Sequence, residues 1–315
     1  LGVTAVHDMG SWDGLAVYER AHTRGSLTLR VRAFVPLSTV ERLARFVDAR
    51  GGTGDDMLSW GGLKGFVDGS MGSSTALFFD PYLDTPSTSG LTVIGMNELA
   101  DRVAAADAAG LQVAIHAIGD RANAELLDLY QDLVREHGER DRRYRIEHAQ
   151  HLRPEDYGRF VELGVIPAMQ PYHAIDDGRW AERKIGPDRA RSTYAFRSLE
   201  AAGARPAFGS DWTVAPLDPL LGVYAAVTRR TLDGAHPDGW IPDQKLTVDQ
   251  ALTAYTRDAA YAGFNEDRVG ALEPGMLADI VVLDRSPFDV EPERIKDLEV
   301  EMTIVGGELV FERGG

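Results

Sequence analysis

The chain has 315 residues, 44% of them hydrophobic, enough for a large core in one large domain or two ordinary ones. Its formal charge of −16 repels phosphate backbones and anionic lipid surfaces. No apolar stretch approaches the roughly 18 residues of a spanning helix, so neither nucleic acid nor a membrane is an expected partner. The chain has no cysteine, which excludes a disulfide scaffold, a thiolate nucleophile and a cysteine-type zinc site and leaves histidine and carboxylate as metal donors.

The opening residues, LGVTAVHDMG, read as a strand already under way at residue 1, without the basic and apolar runs of a signal peptide. The chain is therefore expected to be cut from a longer one, and its compartment stays open, with the cytoplasm as default. From there one unit recurs: a short apolar run rich in β-branched residues, a polar loop, then an amphipathic helix. Strands are predicted over 3–7, 28–36, 62–68, 111–116, 143–148, 164–170 and 205–210. Helices are predicted over 14–24, 39–49, 97–109, 122–137, 154–163, 192–202 and 217–230. Ser38 with Glu41 and Thr247 with Gln250 have the spacing of capping boxes, and Gly51 and Gly138 stand where left-handed helix ends are expected. This alternation predicts an α/β fold of parallel strands with helical crossovers, either a doubly wound sheet or a (β/α)₈ barrel. No G-x-G-x-x-G follows the first strand and no G-x-x-x-x-G-K-[ST] occurs, which takes the main support from nucleotide-binding versions of the open sheet. From about residue 268 the pattern changes to short β segments, with Gly306-Gly307 as a two-residue hairpin turn. The expected division is a barrel over 1–267 and a small β element over 268–315.

The strand ends carry the chemistry. Lys64 lies in GLKGFVDGS, His116 in VAIHAIGD, His148 in YRIEHAQH, His173 after VIPAMQPY and Asp211 in AFGSDW. In a barrel these ends converge on the face where active sites are built. One such histidine alone is an ordinary hydrogen-bonded residue, but His116, His148 and Asp211 together are what zinc and similar divalent ions select. Lys64 is one of only four lysines among 33 basic residues. It reads either as a salt-bridged lysine at the mouth or as an amine that has taken up CO₂ to become an anionic, metal-bridging carbamate. Asp68, His151, Gln170 and His173 fall in strand-end loops suited to substrate contacts or to loop hydrogen bonding, and Trp212 to a pocket wall or to packing. Glu147 alternates with His148 and is expected either to support the site from behind its ligands or to pair with an arginine.

The segments VAIHAIGDRA, RIEHAQ, QPYH, FGSDW, LKGFVDGSMGSSTA and GALEPGMLADIVVLD, in this order apart from the fifth, resemble the amidohydrolase superfamily over nearly the whole chain. The similarity is to the amidohydrolase 3 branch that includes N-substituted formamide deformylase-like enzymes. It implies a distorted (β/α)₈ barrel with a composite β-sandwich, and hydrolysis of C–N bonds, mostly in small amides, by water activated on one or two divalent ions, zinc foremost. It also implies Lys64 as the carbamylated bridge on strand four, His116 and His148 as ligands on strands five and six, and Asp211 as the strand-eight ligand and general acid–base. The family's His-x-His motif on the first barrel strand has no counterpart in these residues, so strands two to eight are expected here. The first strand then belongs to a longer parent, to a second chain or homo-oligomeric neighbour, or has been lost. Alone, the chain is expected to be catalytically silent. A regulatory or binding protein that keeps the barrel, and an open-sheet transferase or reductase, are the other readings.

Overall fold

The computed structural model describes residues 1–314. Its first half alternates strand and helix: β1 (Ala5–Met9), α1 (Trp12–Thr23), β2 (Arg30–Pro36), α2 (Val40–Arg50), β3 (Leu58–Phe66), α3 (Met96–Ala108), β4 (Gln112–Ala117), α4 (Asp120–His137) and β5 (Arg145–His148). The second half is richer in helix: α5 (Tyr157–Glu162), β6 (Ile166–Met169), α6 (Pro171–Asp177), α7 (Ala181–Ala190), α8 (Phe196–Ala202), β7 (Ala207–Phe208), α9 (Pro219–Thr228), α10 (Val248–Tyr255) and α11 (Arg257–Ala262). Three further strands close it: β8 (Ile280–Leu283), β9 (Val300–Val305) and β10 (Glu308–Glu312).

Strands β1 to β7 form one parallel sheet in sequential order, the order of a singly wound barrel rather than of a doubly wound sheet with its reversal point. Among the described residues β1 and β7 are its two edges, so the sheet is a curled part-barrel. Val31, Val35, Leu63, Val113, Ile115 and Ile146 are essentially sealed against the surrounding helices, which supply Leu43, Leu99, Val103, Leu126 and Leu127. Each such side chain contributes about 1.5–3 kcal/mol of transfer free energy. In-register partners share a face, so the pairs Phe66–His116 and His116–Glu147 put these three side chains on one side of the sheet.

Local signals account for most element ends. Thr247 Oγ1 accepts from the Gln250 N–H at 3.2 Å while Gln250 Oε1 accepts from the Thr247 N–H at 2.8 Å, completing a capping box. The corresponding Ser38–Glu41 box does not form. A 3₁₀ turn over Leu37–Thr39 precedes α2, and it is Thr39 that stands at the helix start, its hydroxyl donating to the Pro36 carbonyl at 2.7 Å. Gly51 ends α2 in the left-handed region at φ 70°, whereas Gly138 leaves α4 at φ 79°, ψ 171° and turns the chain into extended structure. No helix among the described residues is long and apolar enough to cross a membrane.

The closing strands make an antiparallel sheet in the order β10-β9-β8. Gly306 and Gly307 have φ 58° and 88°, the paired positive angles that a two-residue hairpin requires. This sheet is tied to the barrel by Arg30 on β2, whose Nε and Nη2 donate to both oxygens of Asp279 at 2.7 and 2.8 Å. Ile295, Leu298 and Val300 join the main core.

Candidate metal centre

At the carboxyl ends of the strands three side chains converge. His148, His173 and Asp211 each offer one donor atom, and these atoms all lie within 4.8 Å of one another. His148 is the last residue of β5, His173 lies in the first turn of α6 after β6, and Asp211 follows β7, so three successive strand ends supply the set. His148 and Asp211 adopt φ of 76° and 57°, and Ala149 φ 43°. Left-handed backbone at non-glycine residues is strained, and its concentration here marks a place where surrounding structure dictates side-chain direction.

The orientation of His148 is fixed by Gln170, whose Oε1 accepts from His148 Nδ1 at 2.7 Å while its Nε2 donates to the Ala168 carbonyl at 3.2 Å. The proton therefore sits on Nδ1, and Nε2 keeps its lone pair. Burial, reinforced by the nearby charges of His116 and Lys64, holds the pKa of His148 well below the usual imidazole range. A neutral imidazole with a hydrogen-bonded second nitrogen is the form that ligates metal. Two nitrogens and a carboxylate suit a borderline divalent ion such as zinc, and a three-residue set leaves a coordination position open.

His116 stands beside this set, its ring 4.6 Å from that of His148, but its Nε2 is 2.9 Å from the Gly69 carbonyl and 3.5 Å from Asp68 Oδ1. Burial, followed by the charge of Lys64, draws its pKa down to about 4. Lys64 is buried inside the sheet with Nζ 4.8 Å from the centroid of Phe66. Burial brings its amine down to about 8 against the opposing field of Glu147. Glu147 accepts from Arg145 at 2.7 and 3.2 Å, the arginine pairing expected of it.

The strand-end loop residues divide. Gln170 and His173 belong to the centre, the latter with Nε2 3.1 Å from Asp211 Oδ2. Trp212 is 65% exposed beside Asp211 at the mouth. Asp68 and His151 sit behind the mouth with 1% and 2% exposure. Asp68 accepts backbone N–H groups from Leu77, Ile118 and Gly119 at 2.8–3.0 Å and ties the long loop after β3 to the start of α4; burial pushes its carboxyl up to about 6. His151 donates from Nδ1 to Thr193 Oγ1 at 2.8 Å and accepts from Gln150 at 3.0 Å on Nε2. Gln150 also donates to Asp177, which accepts from Tyr194 at 2.6 Å, so a buried polar chain anchors the far end of the helix that carries His173. In the sequence His173 falls in a strand-end loop, and this chain of partners is not visible there. The available signal was Pro171, a residue favoured at the first position of a helix.

A sequentially ordered parallel sheet with a metal-type donor set at its carboxyl ends defines a (β/α)-barrel protein of the metal-site class. The sequence places it more narrowly: residues 1–311 match the Amidohydrolase family (Amidohydro_3), and the chain belongs to that family. It is similar to Protein LONG AFTER FAR-RED 3 of Arabidopsis thaliana, at 40% identity over 324 residues that cover 98% of this chain and 55% of that protein. N-substituted formamide deformylase of Arthrobacter pascens is 31% identical over 265 residues, 82% of this chain and 47% of the relative. An uncharacterized metal-dependent hydrolase of Pyrococcus horikoshii OT3 superposes with a TM-score of 0.82 at 34% identity, covering 92% of this chain and 58% of that structure. The chain thus spans about half the length of the curated relatives it matches.

Proposed function

We propose that this chain is the barrel part of a divalent-metal hydrolase that cleaves the C–N bond of a small amide or formamide with water as nucleophile. The observation that carries this reading is the convergence of His148, His173 and Asp211 within 4.8 Å at three successive strand ends. Family membership and the likeness to a protein named as a formamide deformylase support the bond type. In this reading residues 1–267 are the catalytic barrel and 268–315 its β element. A homo-oligomeric neighbour, or a segment of another chain, lies beside the free edges of β1 and β7.

His148, His173 and Asp211 would hold the ion, zinc by the character of the donors, with His116 alongside. When bound, the ion supplies Lewis acidity, lowering the pKa of water and polarising the scissile carbonyl. Asp211 takes the proton of the attacking water and delivers it to the leaving nitrogen, a general acid–base role. Gln170 keeps the proton of His148 on Nδ1. Lys64, with its amine brought down to about 8, holds enough neutral amine near neutral pH to add CO₂, forming an N–C bond, releasing a proton and becoming a carbamate donor. Trp212 offers a flat apolar wall at the mouth.

The test is the metal content of the chain after dialysis, measured beside turnover of N-formyl and N-acyl amines by the full-length parent with zinc or manganese. Loss of bound metal and of turnover in the double variant His148→Ala, His173→Ala is expected. Unchanged stoichiometry in that variant overturns the reading.

A further inference from the structure

His116 is oriented by the segment that roofs the site, residues 67–95 between β3 and α3. The Gly69 carbonyl accepts from its Nε2 at 2.9 Å, and Oδ1 of Asp68 lies 3.5 Å from the same nitrogen. A lone pair on Nε2 would face two oxygens, so the proton belongs there and Nδ1 keeps the lone pair. This is the reverse of His148, whose Nδ1 carries the proton. The ring itself lies between those of Phe66 and His148, with centroids 5.3 and 4.6 Å away.

Both oxygens are held in place. The Ser70 N–H, on the same peptide unit as the Gly69 carbonyl, donates to Thr75 Oγ1 at 2.9 Å, and the Gly69 N–H donates to the Thr75 carbonyl at 3.2 Å. A Cβ at Gly69 would stand 2.1 Å from Thr75 Oγ1, so this close approach excludes any side chain there. The Asp68 carboxylate accepts N–H groups from Leu77 in the roof and from Ile118 and Gly119 beyond β4, which leaves neither oxygen able to turn away. Burying a charge among neutral donors is costly, and a neutral acceptor would tie the roof at less cost. The charge is set instead beside a ring nitrogen, where it favours a proton; among the described residues Asp68 is the one carboxylate paired with His116. Asp120, at the start of α4, ties the same roof through the Phe79 N–H at 3.0 Å.

We propose that Asp68 is a positioning residue that acts through His116, holding the proton on Nε2 so that Nδ1 is the nitrogen left to bind a metal. The inference rests on the reading of this centre as a metal site. In it the roof segment and the His116 ring are one unit, and the two neighbouring histidines are set to opposite tautomers by different partners, Asp68 with Gly69 for one and Gln170 for the other.

The tautomer is read directly, without metal. In the 315-residue chain labelled with [15N]histidine and held in chelator, two-bond proton–nitrogen correlations assign the protonated nitrogen of each of the 8 histidines, with His116→Gln identifying the signal of interest. The parent is expected to show His116 as the Nε2–H form. Asp68→Asn, which places an amide where a charge stood, should give a mixture of both forms and bind zinc about tenfold more weakly. Asp120→Ala is the control for a merely structural role: it should speed hydrogen exchange in the roof as Asp68→Asn does, yet leave the His116 tautomer and zinc affinity as in the parent. An Nδ1–H form in the parent overturns the inference, and that measurement needs no variant to fold. Zinc bound equally by all three chains with an unchanged tautomer also overturns it, and leaves the metal reading standing. A parent that takes up no zinc, yet shows the tautomer contrast between the variants, overturns the metal reading while bearing out the hold of Asp68 on the ring.

Discussion

Oε1 of Gln170 lies 2.7 Å from Nδ1 of His148, and the same amide donates to Ala168 at 3.2 Å, so the amide cannot turn over without losing both bonds. This pair decides which nitrogen of His148 carries the proton and hence which one faces the metal set. Gln170→Leu keeps the volume and removes the acceptor, freeing the ring to rotate or change tautomer. Metal affinity is expected to fall by about 10–100-fold, the usual consequence of losing a ligand's hydrogen-bond partner. Competition against a chromogenic chelator measures it, and unchanged affinity would show that Gln170 does not orient the ligand.

His116 and His148 are ring neighbours with different expected weights. Nε2 of His116 is engaged by Gly69, whereas His148 presents an uncommitted nitrogen among the three converging donors. His148→Ala is expected to abolish stoichiometric binding, while His116→Ala lowers affinity by about tenfold. In the metal-loaded protein Lys64 should carry an added mass of about 44 Da, the mass of CO₂, that is lost when metal is stripped. Native mass spectrometry reads both outcomes in one experiment.

The strand and helix pattern was legible because each inward or helix-facing position repeats with the period of its element. Discrepancies occur where that period is broken. Strand β3 begins at Leu58 rather than near 62 because Gly61, at φ 120°, coincides with a register shift between Ala33 and Phe34 and interrupts the apolar alternation. Helices α6 and α7 were hidden by Gly178, Gly186 and Pro187, and α7 is kinked at Gly186 with φ 81°. The site was legible as far as chain position determines it, since the ends of successive parallel strands must meet. Ring direction was not legible, because it depends on distant partners: Gly69 for His116, Gln170 for His148, and the anchoring of α6 through Asp177 for His173. Asp68 and His151 looked like mouth residues for the same reason, their buried partners being remote in sequence.

Gly119 tests the loop that roofs this region. A Cβ at Gly119 would stand 1.9 Å from the carbonyl oxygen of Leu77, and the Gly119 N–H is one of the donors to Asp68. The atoms nearest that Cβ, the Leu77 oxygen, carbonyl carbon and nitrogen, are all backbone, so no side chain can swing aside. Gly119→Ala is expected to destabilise the protein by about 2 kcal/mol or more through overpacking. Gly95, whose Cβ position is open and whose φ is −60°, should accept alanine within about 0.5 kcal/mol. Urea titration of the two variants checks the contrast, and equal midpoints would refute the close approach.

Asp107, near the end of α3, gathers four donors onto one carboxylate that is 2% exposed. Arg142 donates at 2.7 Å, His137 at 2.7 Å and Tyr144 at 2.8 Å, and Arg140 completes the set. These partners come from α4, the turn beyond it and the approach to β5, so the carboxylate pins two helices and a strand at the end of the sheet opposite the metal centre. Burial alone would raise its pKa, but the hydrogen bonds from Arg142, His137, Tyr144 and Arg140 outweigh that and hold it well below the carboxylate range. A carboxyl depressed in the fold contributes stability that is fully present above its unfolded pKa, near 4, and is lost as pH falls toward the folded value. Asp107→Asn leaves the buried Arg142 guanidinium without its counter-charge, along with the exposed Arg140, and a loss of about 3–5 kcal/mol is expected at pH 7. The parent should lose part of its stability between about pH 4 and pH 2, and the variant's curve should be flatter over the same window because that charge is already gone. Thermal unfolding of both proteins across this range measures the difference. Parallel curves would mean that the acid sensitivity of the fold lies with other carboxylates, and that the convergence on Asp107 is geometric without being energetic.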